Sequence, residues 1–393
     1  MAMSINEEIT KTVATMPLFD HHCHGILCKD LSRLEFESFI SESSWPASDG
    51  TTRFDSQIGF QILSQCGSML LGNSETSTTN QSFLSAPQYI AKRTELGWEK
   101  VSERLMLGAN ITSFGVETGH TPSEITSPTA LADFAQGNSH EIIRLERIAE
   151  DVLNDPQHKN LNTDEYLQML EAALESRLKG AIGVKSIAAY RIGFDFSPEK
   201  PSTAELRQCI SSLLQEPKPL RLESDVLTRH LLWWAIEQEQ VIQLHVGYGD
   251  DDVDLHKANP LLLMDLFRAS VSSGAKFTLL HCYPYQREAG FLADVFPHVY
   301  FDVGLAINYS GARSKAIIAE SLELAPFGKI LFSTDTFGLP ELYYLGAKLF
   351  RQGLSAVLNE FSSTYGWPHE ECKRVAKMIG YDNAARLYGV DDR

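Results

Sequence analysis

Paired cysteines, long apolar runs and basic clusters are all missing from this 393-residue sequence. Its six cysteines show no paired spacing, so free thiols in a reducing cytoplasm are expected. No apolar stretch approaches the roughly 18 residues that span a bilayer, and the N-terminus lacks the pattern of a secretory signal. A net charge of −17 makes nucleic acid and anionic membrane surfaces poor partners.

A GxGxxG turn does not follow the first apolar run, which removes the main signal for dinucleotide binding. Short apolar runs rich in β-branched and aromatic residues instead alternate with longer helical patterns. The eight strands predicted from these runs are Pro17–His22, Asn110–Gly115, Ile142–Leu145, Gly180–Ser186, Val241–Val246, Phe277–Cys282, Val299–Val303 and Ile330–Thr334. Eight βα units predict an α/β fold, a closed (β/α)8 TIM barrel, as a single domain over residues 1–393.

Between the first two predicted strands, the segment 25–101 is too long for a simple βα connection. It contains a polar stretch at 72–82, which predicts a mobile loop. The flanking pieces Leu31–Ser43 and Ser56–Leu71 have helical patterns. We interpret the segment as a mostly helical insertion that caps the barrel mouth; a surface decoration without a role is the alternative.

Two histidines end the first predicted strand with one residue between them. Because residues i and i+2 of a strand face the same side, His22 and His24 are expected to point together into the barrel and to hold one metal ion. The same alternation places Asp20 beside them, where it can orient a ligand, and turns His21 to the opposite side. An HxH pair taken alone is more often an incidental surface feature.

Three more predicted strands end in a potential metal ligand. His245, His281 and Asp335 follow the apolar runs of the fifth, sixth and eighth strands. The C-terminal ends of the strands form the active-site face of a barrel, so these side chains are expected to meet the two histidines there. Imidazoles with a carboxylate suit zinc or a similar divalent metal, such as manganese or iron.

The fourth predicted strand ends in a lysine. A buried Lys185 needs a salt bridge, a contact with an anionic substrate group, or carbamylation by carbon dioxide, which creates an anionic ligand able to bridge two metals. Arg191 lies in the loop after this strand and can clamp a substrate carboxylate, although a structural role is equally open. Arg144 and Glu146, near the third strand, can pair with each other or contact the lysine.

In order along the chain, these strand ends resemble the metal-ligand pattern of the amidohydrolase superfamily. The finer likeness is to the amidohydrolase-2 branch and, within it, to the amidohydrolase-type domain of FluG and nodulin glutamine-synthetase-like proteins. It covers almost the whole chain except the insertion, and the sequence has no glutamine-synthetase-like domain. The segments that carry the likeness are His140-Glu-Ile-Ile-Arg-Leu-Glu-Arg-Ile-Ala-Glu150, Gly183-Val-Lys-Ser-Ile-Ala-Ala-Tyr-Arg191, Gln243-Leu-His-Val-Gly247, Phe332-Ser-Thr-Asp335 and Asn383-Ala-Ala-Arg-Leu-Tyr-Gly389.

This resemblance implies a metal site with one or two ions. In the two-ion form, His22, His24 and Asp335 bind the first ion, the other two histidines bind the second, and a carbamylated lysine is shared. In the one-ion form, His245 joins the first group and His281 is free to polarise a substrate carbonyl. The full implied ligand set is His22, His24, Lys185, His245, His281 and Asp335.

The implied reaction is hydrolysis of an amide or related C–N bond in a small molecule, with amino-acid or γ-glutamyl amides suggested by the glutamine-synthetase association. Asp335 would take a proton from the attacking water and return it to the leaving amine. The alternatives are a one-metal decarboxylase of the same branch and a barrel that binds a ligand without turnover. Barrels of this type often dimerise, so a homodimer is also considered.

Overall fold

The computed structural model describes residues 5–72, 83–120, 124–158 and 161–390. The polar stretch predicted to be a mobile loop lies outside these residues, apart from position 72. The α-helices, α1 to α19 in chain order, are Ile5–Thr15, Arg33–Ser38, Gln57–Gln61, Gly67–Leu70, Ala86–Leu96, Trp98–Ala109, Pro128–Ala135, Leu145–Asn154, Thr163–Leu178, Ala188–Arg191, Thr203–Leu213, Asp225–Glu237, Met264–Ser270, Gln286–Val295, Gly304–Ser310, Ser314–Ser321, Pro340–Tyr365, His369–Lys377 and Asn383–Tyr388.

Several shorter helical turns join these elements. The 3-10 turns are Pro156–His158, Pro260–Leu263, Gly311–Arg313 and Phe327–Lys329, and the π-helical turns are Ile62–Cys66 and Met378–Asp382. The helical pattern over Leu31–Ser43 in the insertion predicts a longer helix than the structure has, where α2 covers only Arg33–Ser38. None of the described helices is long and apolar enough to cross a membrane.

Seven parallel strands follow one another in sequence order around one sheet. They are β1 (Leu18–Cys23), β2 (Ile111–Glu117), β3 (Asn138–Arg144), β4 (Ala181–Ser186), β5 (Val241–His245), β6 (Lys276–Leu280) and β7 (Val299–Phe301). Helices connect consecutive strands, as parallel pairing requires. Seven of the eight predicted strands therefore have a counterpart, and the order is that of a (β/α)8 barrel.

The eighth predicted strand, Ile330–Thr334, is not a regular strand, but the segment still closes the ring. Leu331 N donates to Phe301 O of β7 over 2.9 Å, and His21 N of β1 donates to Phe332 O over 3.1 Å. The Asp20 carboxylate accepts hydrogen bonds from both Thr334 N (2.9 Å) and Thr334 Oγ1 (2.5 Å). Where the eighth segment meets β1, the Asp20 side chain therefore replaces a main-chain acceptor. This explains why the strand pairing is irregular there.

Strand β1 departs from strict alternation. Its pairing with β2 shifts register between Asp20 and Cys23. As a result, His21 and His22 both bond to groups inside the barrel, and the expectation that His21 faces the opposite side is wrong. Asp20 holds the Thr334 segment rather than an imidazole. Such bulges re-aim side chains next to active sites.

The last helix closes the barrel end opposite the ligand residues. A small buried cluster joins α19 to side chains near the starts of several strands. Its members are Phe19, Ile142, Val241, Leu331, Tyr381, Ala384, Ala385 and Tyr388. The barrel end that holds the candidate ligand residues therefore lies above an apolar floor contributed in part by the C-terminal helix.

Candidate active site

A cavity of about 700 Å³ opens at the C-terminal ends of the strands. Five of the six predicted ligand residues line it: His22, His24, Lys185, His245 and Asp335. The sixth, His281, is fully buried directly beside Asp335. The structure thus brings the whole predicted set together at one end of the barrel.

Three of these residues form the tightest cluster. His22 Nε2 lies 3.0 Å from Asp335 Oδ1, and His281 Nε2 lies 3.3 Å from Asp335 Oδ2. One ligand atom from each of the three residues lies within 4.8 Å of the others. Their donor atoms are therefore close enough together to belong to one metal site of one or two ions.

His24 joins this cluster from the same strand. Its Nε2 lies 3.6 Å from Asp335 Oδ1, while its Nδ1 faces Glu117 Oε2 at 3.5 Å. Glu117 in turn binds Arg144 through a buried ion pair. Burial alone raises the pKa of Glu117, but Arg144 and His24 outweigh it and lower that pKa to about 2. The carboxylate therefore stays ionised behind the imidazole.

Sequence reasoning missed Glu117, although the signal was present. Glu117 ends strand β2 just as the predicted ligands end theirs. Arg144 pairs with this glutamate rather than with Glu146, which accepts hydrogen bonds from Ser186 Oγ (2.5 Å) and Ile187 N (3.1 Å). Of the two alternatives drawn from the sequence, the pairing of Arg144 with Glu146 is therefore not the one observed.

His245 lies on the other side of the cluster. Its ring centroid is 4.6 Å from that of His281 and 4.4 Å from that of Tyr190. Nε2 of His245 is buried and has no hydrogen-bond partner among the described residues. A Cβ placed on Gly249 would lie 2.8 Å from this nitrogen and 2.2 Å from the Tyr190 hydroxyl, so glycine keeps the space in front of the imidazole open.

Lys185 is buried in the wall of the same cavity. Burial lowers the pKa of its ammonium to about 8, against the opposing effect of the Asp335 and Glu117 charges. A lysine with a lowered pKa has a larger fraction of neutral, nucleophilic amine than an exposed one. Lys185 forms no salt bridge with a described residue, so the two roles left from the sequence analysis are contact with an anionic substrate group and carbamylation.

Protonation of the cluster follows from burial and from hydrogen bonds. Burial, together with the charge of Lys185, lowers the pKa of His22 to about 3, and burial lowers that of His281 to about 4. Burial raises the pKa of Asp335, yet His281, His22 and His24 outweigh it and hold that pKa well below its usual value. Neutral imidazoles and an ionised carboxylate are the forms that bind metals.

These residues fit a divalent metal. His22 Nδ1 already faces the Gln243 Oε1 acceptor at 2.7 Å, so a neutral His22 has no proton on Nε2. Nε2 and the Asp335 oxygen 3.0 Å away are then two acceptors facing each other, an arrangement that a cation between them would satisfy. Buried ring nitrogens of His245 and His281, which have no hydrogen-bond partner among the described residues, add to the nitrogen and oxygen donor set that zinc prefers.

Two of the candidate ligands have left-handed backbone conformations. φ is +69° at His281 and +50° at Asp335. Such conformations are costly for residues other than glycine and persist where the surroundings hold them. Here Asp302 Oδ1 accepts from His281 N over 3.0 Å, and His22 O accepts from Asp335 N over 3.1 Å.

Arg191 also lines the cavity, at the end of the short helix α10. Its Nη2 lies 3.2 Å from Glu150 Oε1. Its Nε and Nη1 are buried and lack a hydrogen-bond partner among the described residues. Burial lowers the pKa of this guanidinium, because Glu150 compensates its charge only in part. The group therefore has hydrogen-bonding capacity left for an anion.

Part of the insertion reaches the cavity. Residues 38, 39 and 41–44 contribute to its lining. Within this stretch, burial raises the pKa of the Glu42 carboxyl to about 7, against the lowering effect of the Tyr309 hydroxyl. The cap formed by the whole segment 25–101 stays a prediction.

Comparison with known proteins agrees with this geometry. The family model for amidohydrolases matches residues 165–390, more than half of the chain. The chain belongs to the amidohydrolase family. This confirms the resemblance drawn from the strand-end residues.

Among curated proteins, the amidohydrolase is similar to protein FluG of Emericella nidulans, with 26% identity over 425 residues that cover 100% of this chain and 48% of FluG. The chain thus spans about half the length of that relative. Among solved structures, it is similar to a protein of Lactobacillus casei assigned as a metal-dependent hydrolase, with a TM-score of 0.82, 28% identity and 97% of each chain covered.

A more distant structure shares the fold alone. It is a uronate isomerase of Bacillus halodurans, with a TM-score of 0.63, 15% identity, and coverage of 100% of this chain and 98% of the isomerase. The (β/α)8 barrel predicted from the sequence is confirmed. Family membership and the similarity to the Lactobacillus protein support a metal-dependent hydrolase.

Proposed function

We propose that this amidohydrolase cleaves an amide or related C–N bond in a small substrate that carries a carboxylate. The observation that carries the proposal is the convergence of His22 Nε2, His281 Nε2 and both Asp335 oxygens at the floor of the cavity. Neutral imidazole nitrogens facing an ionised carboxylate form a site for a divalent cation, for which zinc is the first choice.

The six predicted residues suit one or two ions. His22, His24 and Asp335 would hold the first, and His245 and His281 the second. Lys185 would bridge the two after its amine adds to carbon dioxide and forms a carbamate. A bound divalent cation supplies a Lewis acid and lowers the pKa of a water molecule toward about 7.

The protein's own residues would supply the proton transfers. Asp335 is ionised, so it can accept a proton as water adds to the substrate carbonyl carbon. When the C–N bond breaks, the same carboxyl can return that proton to the leaving nitrogen. In the one-ion form, His281 is free to polarise the carbonyl oxygen.

Arg191 would bind the substrate carboxylate. Its Nε and Nη1, which have no hydrogen-bond partner among the described residues, can each donate a charge-assisted hydrogen bond to a substrate anion. Amino-acid and γ-glutamyl amides combine such a carboxylate with a C–N bond, so they are the first substrates to test.

The test combines metal content with product analysis. Protein purified without chelators and with bicarbonate is analysed by plasma mass spectrometry, then incubated with a panel of amino-acid and γ-glutamyl amides. The proposal expects one or two metals per chain and equal amounts of amine and carboxylate. Two metals, with at least one lost in Lys185→Ala, would support the bridging carbamate. Folded protein that binds no metal, or that releases carbon dioxide from an aromatic or unsaturated acid instead, would contradict the proposal.

A further inference from the structure

Beneath the candidate ligands, a series of buried polar side chains connects His22 to Asp302. His22 Nδ1 lies 2.7 Å from Gln243 Oε1, and Gln243 Nε2 lies 2.8 Å from the Tyr388 hydroxyl. The same hydroxyl lies 3.0 Å from His21 Nδ1, and His21 Nε2 lies 3.0 Å from Asp302 Oδ2. The series joins β1, β5, α19 and the residue that follows β7.

The orientation of the Gln243 amide fixes the first hydrogen bond. Its Nε2 has two protons, and one of them goes to the main-chain oxygen of His21 over 2.8 Å. A carbonyl oxygen can only accept, so the nitrogen of the amide must face His21. Oε1 then faces His22, and the proton between them must belong to Nδ1 of His22.

The remaining protons follow in the same direction. The second Nε2 proton of Gln243 goes to the Tyr388 oxygen. All bonds of the series run in one direction when the Tyr388 hydroxyl donates to His21 Nδ1. His21 then carries its own proton on Nε2 and donates it to the Asp302 carboxylate. Gln243, Tyr388 and His21 each accept one hydrogen bond from the preceding side chain of the series and donate one to the next, and the series ends on the buried Asp302 carboxylate. Hydrogen bonds aligned in this way strengthen one another.

We propose that Gln243, Tyr388 and His21 are positioning residues that hold His22 with a proton on Nδ1 and a free lone pair on Nε2. That lone pair is the one that faces Asp335 Oδ1. This proposal rests on the proposed function in one respect, which is that a metal ion is the partner of the lone pair. The tautomer of His22 itself follows from the hydrogen bonds. Acceptors behind a ligating imidazole fix its tautomer and raise its basicity.

The surroundings of this series argue against an incidental set of polar groups. All five side chains are buried, and Tyr388 otherwise packs in the apolar floor formed by the cluster of α19 and the strand starts. Buried polar groups are costly unless their hydrogen bonds are satisfied. An apolar residue at position 243 or 388 would fill the same floor without that requirement.

The first experiment reads the tautomer directly in the metal-free wild-type protein. Long-range proton–nitrogen NMR spectra of histidine-labelled protein, assigned with a His22→Asn variant, distinguish a protonated Nδ1 from a protonated Nε2. We expect Nδ1–H with a bare Nε2 for His22. An Nε2–H tautomer would overturn the proposal, and this result depends on neither metal nor substrate.

The second experiment cuts the series at one atom. Tyr388→Phe removes the hydroxyl and keeps the ring. Its matched control is Tyr166→Phe on helix α9, which removes a buried hydroxyl that donates to Ala149 O of helix α8 over 3.4 Å. Zinc affinity is measured by competition with a chelator, alongside urea unfolding of the metal-free proteins. We expect the zinc Kd to rise about 10- to 100-fold in Tyr388→Phe and to stay within about threefold in the control.

The outcomes separate the two proposals. Equal zinc affinities in the two tyrosine variants, with similar stabilities, would reduce Tyr388 to a structural residue and overturn the positioning role. Wild-type protein that binds no zinc would contradict the proposed function, while the tautomer of His22 would still decide whether the series orients that imidazole.

Discussion

Nε2 of His22 lies 3.0 Å from Oδ1 of Asp335, although 313 residues separate them in the sequence. The contact spans the seam where the irregular eighth segment meets β1. Main-chain bonds on the same seam, including Asp335 N to His22 O, hold the two residues in register. The contacts that close the barrel therefore also bring these two candidate metal ligands together.

Asp335→Asn is expected to abolish tight metal binding. The amide keeps the size of the side chain but removes the negative charge that faces three imidazoles. Metal content, measured by plasma mass spectrometry after dialysis, should fall by at least one ion per chain. Asp164→Asn, at an exposed ion pair with Arg207, is the control and should keep the wild-type content. Unchanged metal content in Asp335→Asn would exclude this residue as a ligand.

Gly249→Ala is expected to weaken metal binding without unfolding the protein. The added Cβ would lie 2.8 Å from His245 Nε2 and 2.2 Å from the Tyr190 hydroxyl, so both rings must move. We expect at least a tenfold rise in the metal Kd. Gly290→Ala is a matched control, since its nearest neighbours would be 3.8 Å away. Similar metal affinities in the two variants would show that the space in front of His245 is not needed.

Arg191→Gln is expected to raise KM at least tenfold for a carboxylate-bearing substrate and to leave kcat within about threefold. Loss of an interaction made equally in the ground and transition states acts on KM alone. Arg207→Gln, at an exposed ion pair, should leave both constants unchanged. A fall in kcat at constant KM would place Arg191 in the chemical step instead.

Glu42→Gln is expected to change how stability depends on pH. The pKa of Glu42 is about 7 in the folded protein, above the usual value of about 4.3 in an unfolded chain. The folded state therefore holds this proton more tightly, and the carboxyl lowers stability as pH rises from about 4.3 to 7. The glutamine variant should match the wild type near pH 4.5.

Above pH 7, the same variant should be more stable by about 1–2 kcal/mol, after allowance for partial solvent exposure. Urea unfolding of metal-free protein across this range provides the measurement. A constant difference between the two proteins at every pH would show that Glu42 does not titrate with a raised pKa.

The strand-end residues could be predicted from sequence because one rule covers them all. An apolar run that ends in His, Lys or Asp places that side chain on the active-site face of a barrel. Applied consistently, the rule also finds Glu117 at the end of β2 and Asp302 directly after β7. The predicted strand bounds did not place either residue at a strand end, because the second predicted strand stops at Gly115 and the seventh runs through Asp302 to Val303.

Other features depend on tertiary contacts that a local pattern does not contain. The register shift in β1 turned His21 inward, against the alternation of an ideal strand. Asp20 took the place of a main-chain acceptor at Thr334, so the eighth strand is irregular. No sequence pattern predicts the hydrogen bond between Gln243 and Tyr388, because it forms only when α19 packs against the barrel floor.

The position of Tyr388 has a consequence for the order of biosynthesis. All six candidate ligand residues have been translated once residue 335 is added, yet the hydroxyl beneath His22 arrives 53 residues later. At about 5–20 residues per second, that interval lasts roughly 3–10 s. During it the nascent chain contains every candidate ligand but lacks the hydroxyl that links Gln243 to His21. If Tyr388 positions His22 as proposed, full metal affinity requires the last helix to dock.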